Sequence, residues 1–183
     1  RRAGRPEITP LYTVEDAAGV MELFVPMHYH EKFQVCDEIS VRFVDAGHLL
    51  GSSSIEIWLT EEGEQKKIVF SGDIGQGNKP LIKAPEYIEE ADYVLVESTY
   101  GDRVHEVPID FAKALADVMR QTFQAGGNLV IPAFSVGRTQ EMLYFIRRIK
   151  EEGMLSDIED FEVYMDSPLA VEATAVFHSN VAE

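Results

Sequence analysis

The stretch Ser71-Gly72-Asp73-Ile74-Gly75 follows an apolar, strand-like run and places a carboxylate at its end. Two similar stretches flank it, Ala46-Gly47-His48-Leu49-Leu50-Gly51-Ser52 upstream and Glu97-Ser98-Thr99-Tyr100-Gly101-Asp102 downstream. A strand end fixes a side chain while leaving it facing solvent, and zinc takes imidazole nitrogen and carboxylate oxygen as ligands. The three motifs therefore predict a metal site.

Each residue of this candidate site suits a particular role. His48 would be a terminal metal ligand, and Asp73 could bridge two metals because a carboxylate has two acceptor oxygens. Glu97 could orient a ligand, a water or a partner histidine. Taken singly, each motif is equally typical of a turn with a satisfied polar side chain. The spacing of roughly 25 residues between successive motifs leaves room for a strand or short helix before the next strand.

The first part of the chain is predicted to be rich in strands. A capping-box pattern starts a helix over residues 13–20. We expect a strand over 39–44, a hairpin of 54–59 with 67–70 turning at Glu62-Gly63, a short helix over 84–90 and a buried strand over 93–96. These strands lead directly into the three motifs.

Helices and strands alternate in the second part. A helical pattern runs from Pro108 to the stop at Gly126-Gly127, and further helices are predicted over 139–152 and 169–179. Strands are predicted over 128–131 and 161–165. This order implies parallel pairing with right-handed crossovers, so the predicted fold class is α/β, with a domain boundary near residues 103–108.

Two loops of the second part are candidates for contacting phosphate. Ligands of α/β segments tend to lie beyond the carboxyl ends of strands, where helix N-termini offer backbone N–H groups. Ser135, Arg138 and Ser167 occupy such places. In the alternative interpretation the serines cap helices and Arg138 pairs with Glu141 or Asp166.

The motifs together resemble the metallo-β-lactamase-fold nucleases that carry a β-CASP domain. His48, Asp73 and Glu97 match that family's metal and acidic motifs. Pro132-Ala133-Phe134-Ser135-Val136-Gly137-Arg138-Thr139-Gln140-Glu141 and Asp166-Ser167-Pro168-Leu169-Ala170 are similar to β-CASP sequence. The resemblance implies part of an αββα sandwich over residues 1–105, followed by the start of a β-CASP α/β domain with a parallel sheet over residues 106–183.

The resemblance also implies a reaction. The family hydrolyses phosphodiester bonds of single-stranded RNA with two zinc ions, in RNA processing or decay, as endonucleases or exonucleases. His48 would then bind one zinc, Asp73 would bridge both and take part in catalysis, and Glu97 would support proton transfer by orienting a histidine. A cytoplasmic location without membrane contact is expected, and a homodimer of the full-length protein stays open.

Two departures from the family pattern affect this interpretation. The main metal motif, His-x-His-x-Asp-His, is absent, since His28-Tyr29-His30 is followed by Glu31 and Lys32; we interpret that pair as a loop or strand edge. The two closing histidines are absent as well. We therefore expect a central slice of a longer enzyme, inactive in isolation. A catalytically inactive scaffold of the same fold, or a metallo-hydrolase acting on small molecules, are the alternatives.

Composition gives further bounds. The 183 residues carry 16 Lys and Arg against 32 Asp and Glu, a net charge of −16, which counts against extended RNA contact because phosphate binding depends on cations. No run reaches the roughly 18 apolar residues of a membrane span. The single Cys36 fits a reducing compartment and is expected to pack, and Trp58 is expected in the core.

Overall fold

The structure is a computed structural model and describes residues 10–77, 79–104, 110–133, 136–158 and 160–180. Its helices are α1 (Val14–Val20), α2 (Phe111–Gln124), α3 (Arg138–Glu151) and α4 (Pro168–Ser179), with a 3-10 turn over Met21–Leu23. Its strands are β1 (Phe33–Cys36), β2 (Ile39–Asp45), β3 (Ser53–Glu61), β4 (Glu64–Phe70) and β5 (Tyr93–Leu95). None of these helices has the length and apolar content needed to span a membrane.

The five strands form one sheet in the order β1-β2-β3-β4-β5. Neighbours pair antiparallel up to β4, whereas β4 and β5 are parallel. Glu62 and Gly63 join β3 to β4 with φ of 50° and 84°, the left-handed geometry of a two-residue hairpin turn. The predicted hairpin is thus confirmed. Because β2, β4 and β5 run in one direction, their last residues lie at the same side of the sheet, here called the carboxyl edge.

The helices begin and end where local signals place them. Thr13 caps α1, with Asp16 completing the predicted capping box. Asp110 caps α2 through the N–H of Ala112, and Gly126, with φ 72°, follows the helix end. Pro108 and the predicted domain boundary at residues 105/106 fall outside the described residues.

The helical part has its own hydrophobic core. Residues of α2 and α3 and of the turn after α3 form it: Ala112, Ala116, Met119, Ile149 and Leu155. Leu129 and Phe161 pack against this cluster. The structure thus confirms an α/β class with a mixed five-stranded sheet.

The predicted helix over residues 84–90 is wrong. Proline disfavours helical geometry at the preceding residue, here Ala84. The N–H of Glu86 instead donates to the carbonyl of Asp45, 2.9 Å away, which fastens this segment along the end of β2.

The predicted strands over 128–131 and 161–165 are wrong as well, since neither joins a sheet. Their apolar residues, including Leu129 and Phe161, pack against helices without forming a ladder. Short apolar runs fit a buried strand or any other buried segment, so periodicity cannot separate the two. The parallel pairing predicted between them is therefore not formed.

Three predictions of burial are also wrong. Residues 93–96 are 52–64% exposed, because β5 is one of the two edge strands of the sheet. Cys36 is exposed at the β1 end rather than packed. Trp58 is half-buried, and it contacts cations rather than the core.

Candidate metal centre

The three motifs meet at the carboxyl edge of the sheet. The N–H of Gly75 donates to the carbonyl of Ala46 over 2.8 Å, which ties the 71–77 loop to the 46–52 loop. The N–H of Ser71 donates to Leu95, and the Ser71 hydroxyl accepts from the N–H of Glu97 at 2.9 Å. The sequence placed these motifs at strand ends, and the sheet order brings them together.

Two glycines allow the first two loops to approach this closely. A Cβ on Gly75 would lie 1.6 Å from the carbonyl oxygen of Gly47, far inside any real contact. Gly47 has φ 62°, and a Cβ there would lie 2.4 Å from the nitrogen of Pro85. Both positions therefore require glycine.

His48 lies in a loop that its own polar groups hold in shape. Its N–H and that of Leu49 donate to the hydroxyl of Ser52, at 3.0 and 3.1 Å. The N–H of Gly47 donates to Asp45, and the Lys79 ammonium donates to the His48 carbonyl at 3.4 Å. The imidazole is half-buried, so the loop fixes the backbone while leaving the ring accessible.

Asp73 is exposed at the tip of the 71–77 loop. Within the described part of the chain, its carboxylate has no hydrogen-bond or ion-pair partner. The neighbouring Gly72 has φ 57°, and Gly72 accepts a hydrogen bond from the Ser71 hydroxyl. Both oxygens of Asp73 are thus available to a ligand.

Glu97 links the second motif to the third. One carboxylate oxygen accepts from the N–H of Ile74 at 2.7 Å, and the other accepts from the Thr99 hydroxyl. These two hydrogen bonds, the Thr99 one first, hold the pKa of Glu97 below its ordinary value, with a smaller contribution from His48. Glu97 is therefore ionised at neutral pH, and it fixes the residue that follows Asp73.

These residues fit part of a metal centre. An accessible imidazole and an unpartnered carboxylate are the donor types that zinc takes, and both lie on loops fastened to each other. Among the residues that the structure describes, however, no three His, Cys, Asp or Glu side chains are grouped to hold an ion. His28 lies in an irregular segment and His30 in the turn that follows, 3.4 Å from Glu86, which confirms the interpretation of the pair as a loop.

The predicted phosphate-contacting residues follow their alternative interpretation where they are described. The Ser167 hydroxyl caps α4 by accepting from the N–H of Ala170. Arg138 lies at the exposed start of α3, with its Nε 3.7 Å from Glu141. Ser135 lies outside the described residues.

Two polar residues that sequence analysis did not single out are important here. Ser71 is buried and joins two of the motif loops. Gln140, 4% exposed, binds the N–H of Gly137 and the Thr174 hydroxyl, which connects α3 to α4. A polar residue on the buried side of a predicted helix is the signal that could have identified Gln140.

Comparison with known proteins finds relatives that are ribonucleases by name. No protein-family model matches it. An RNase J-like protein of Methanocaldococcus jannaschii is 35% identical over 177 residues, covering 95% of this chain and 40% of that protein. A ribonuclease of Thermus thermophilus is 30% identical, covering 92% of this chain and 37% of the relative. Cleavage and polyadenylation specificity factor 73 of Drosophila melanogaster is 30% identical, and the match covers 93% of this chain and 24% of that protein.

The chain thus spans about two fifths of the length of the first two relatives. The likeness nevertheless extends over more than nine tenths of the chain, including all three motif loops and the helical part. These relatives are metallo-β-lactamase/β-CASP RNA nucleases, and this chain is homologous to a part of them.

Proposed function

We propose that this chain contributes to a zinc-dependent ribonuclease that hydrolyses phosphodiester bonds in single-stranded RNA. The observation that carries the proposal is the convergence of the His48, Asp73 and Glu97 loops at one edge of the sheet, through direct hydrogen bonds between backbone groups and from backbone groups to side chains. Homology to ribonucleases supports the same reaction class.

The metal would supply an activated water and positive charge beside the attacked phosphate. His48 would bind through its imidazole, which the 46–52 loop presents without a hydrogen bond to the ring from any residue that the structure describes. Asp73 would bind through its unpartnered carboxylate and, with two oxygens, could join two ions. Zinc fits the mixed nitrogen and oxygen donors.

Glu97 would act by position and charge. Its carboxylate holds the N–H of Ile74 and so fixes the orientation of Asp73. Ionised and close to the 46–52 loop, it is suited to orient a histidine of the complete site for proton transfer.

RNA phosphates would meet the helical part of the chain. Arg138 is exposed at the start of α3, and its ion pair with Glu141 is long enough to yield to a phosphate. Ser135 and Ser167 would add hydroxyl contacts near the starts of α3 and α4. The net charge of −16 confines RNA binding to such local groups.

The proposal also covers the domains, the activity, the location and the assembly of the complete protein. Residues 1–105 would form part of the αββα sandwich and residues 106–183 the start of the β-CASP domain. We propose that the 183 residues alone are inactive, since His48 and Asp73 are too few ligands for a catalytic site. The enzyme would act in the cytoplasm, and its assembly as a homodimer is an open proposal.

The test compares the 183-residue chain with the coding sequence extended at both ends, measuring bound zinc and cleavage of labelled single-stranded RNA. We expect the extended protein to hold about two zinc ions and to cleave RNA. Asp73→Asn should lower its rate at least about a hundredfold, because it removes a ligand charge. Asp37→Asn, in the exposed turn between β1 and β2, is the matched control.

Full cleavage by the Asp73→Asn protein would overturn the proposal. An extended protein that binds no zinc and cleaves nothing would instead support an inactive scaffold of the same fold.

A further inference from the structure

A cluster of three cations surrounds Trp58, which lies on the sheet but away from its carboxyl edge. The Lys32 ammonium lies 3.8 Å from the centre of the indole ring, and the Lys67 ammonium and the Arg42 guanidinium lie at 5.3 and 5.5 Å, within cation–π range. Trp58 and Lys67 are cross-strand partners on β3 and β4. In a chain of net charge −16, three cations therefore gather at one aromatic ring.

A buried carboxylate holds two of these cations in place. The Glu56 side chain is fully buried, with Oε1 2.6 Å from the Lys67 ammonium and Oε2 bonded to the Arg42 guanidinium. Burial raises the pKa of Glu56, but the hydrogen bonds from Arg42 and Lys67 outweigh burial and keep it below the ordinary value. Burying a charge is costly, so the pairing fixes both cations beside the indole.

The cluster borders an open cleft of about 370 Å³, lined by Trp58, Gln65, Lys67, Glu90, Ala91 and Asp92. Asp92 is already engaged, since it accepts from the N–H of Lys67 at 2.7 Å and lies 3.6 Å from the Lys66 ammonium. Glu90 remains as a hydrogen-bond acceptor at the rim. The volume is within the range of small-ligand clefts.

Lys32 is the adaptable member of the cluster. It is exposed and, among the described residues, has no acidic partner, so its ammonium can leave the ring face at little cost. An incoming flat ring could then stack on the indole while Lys32 meets a negative group beside it.

From these observations we infer that Trp58 and its cations form a docking site for single-stranded RNA, separate from the carboxyl edge. A base would stack on the indole, and the adjoining phosphate would lie near Lys32 and Lys67, the combination that single-strand binding sites use. Glu90 can accept a hydrogen bond from the exocyclic amine of a base. The inference rests on the proposed function for the identity of the nucleic acid.

Trp58 is the single tryptophan of the chain, so its fluorescence reports this site alone. The experiment titrates the 183-residue protein with a single-stranded oligoriboadenylate between about 50 and 200 mM salt. We expect saturable quenching. Lys32→Gln should weaken binding about fivefold and reduce the salt slope by about 0.7, the value of one phosphate contact. Lys113→Gln, the same charge change on exposed α2, should leave both unchanged.

A second measurement keeps the test independent of the fluorophore. Anisotropy of labelled RNA should show about tenfold weaker binding by Trp58→Phe, because the smaller ring stacks less well. Absence of quenching, or equal effects of Lys32→Gln and Lys113→Gln, would overturn the inference. So would stronger quenching by oligoglutamate than by RNA, which would make an acidic protein segment the occupant. Both readouts measure binding, so they are distinguishable from the cleavage test of Asp73→Asn.

Discussion

The sheet and the helical part hold their important residues in different ways. At the carboxyl edge, loops are fastened by backbone hydrogen bonds, such as that from Gly75 to Ala46, and no described residue pairs with the carboxylate of Asp73. In the helical part, apolar packing around Ile149 dominates, and polar residues such as Gln140 and Thr174 bond to each other or to backbone and hold the helices in place. Free polar groups beside a rigid scaffold mark a reactive site, whereas satisfied ones mark a support.

The two regions should therefore respond differently to substitution. A change in the apolar cluster should act on stability, and a change between the loops should act on the site. The following predictions test this contrast, from the largest expected effect to the smallest.

Ile149→Ala should lower the free energy of unfolding of the helical part by about 4 kcal/mol, since Ile149 is fully buried and truncation leaves a cavity. Amide hydrogen exchange should rise in α2 and α3 and change little in β3 and β4. Ile149→Val is the matched control and should cost about 1 kcal/mol. An equal rise of amide exchange in the sheet would show that the two regions unfold as one unit, which would contradict the contrast between them.

Gly75→Ala should push the 71–77 loop away from the 46–52 loop, because the new methyl group would overlap the Gly47 carbonyl. We expect a cost of about 3 kcal/mol, measured by urea unfolding, and a loss of zinc from the extended protein. Gly77→Ala has open space around the new methyl group and should stay within about 0.5 kcal/mol of the parent. Unchanged zinc binding by the Gly75→Ala protein would show that the metal site does not depend on the contact between the two loops.

Thr99→Val should raise the pKa of Glu97 toward its ordinary value, because it removes the first of the hydrogen bonds that depress it. A depressed pKa in the folded state adds stability above the ordinary pKa, and that stability is lost as pH falls through the folded value. The variant should therefore lose stability at neutral pH and show a weaker dependence on acid. Carbon-13 NMR titration of the Glu97 carboxyl measures the shift, with Thr60→Val as control.

Local signals in the sequence were sufficient for much of the fold. The capping box at Thr13 and Asp16 and the hairpin turn at Glu62 and Gly63 have local causes, and both predictions are confirmed. The three motifs were likewise found at strand ends at one side of the sheet.

The predictions that failed concern features that depend on residues distant in the sequence. Residues 128–131 and 161–165 are apolar enough for strands, but a parallel strand needs a neighbour to supply its hydrogen bonds. The burial of residues 93–96 was overestimated because their own sequence does not show that this strand lies at the edge of the sheet. The ties through Ser71 and the closeness of Gly47 and Gly75 also arise only when the loops meet.

The exposed edge strand β5 affects the solubility of this protein. Tyr93, Val94 and Leu95 present exposed apolar side chains on the last strand of the sheet, a surface on which a second chain can add a strand. At neutral pH the charge of −16 keeps such chains apart. Near the isoelectric point of about 4.6 that repulsion vanishes, so acidic buffers would turn this strand into the starting point for precipitation.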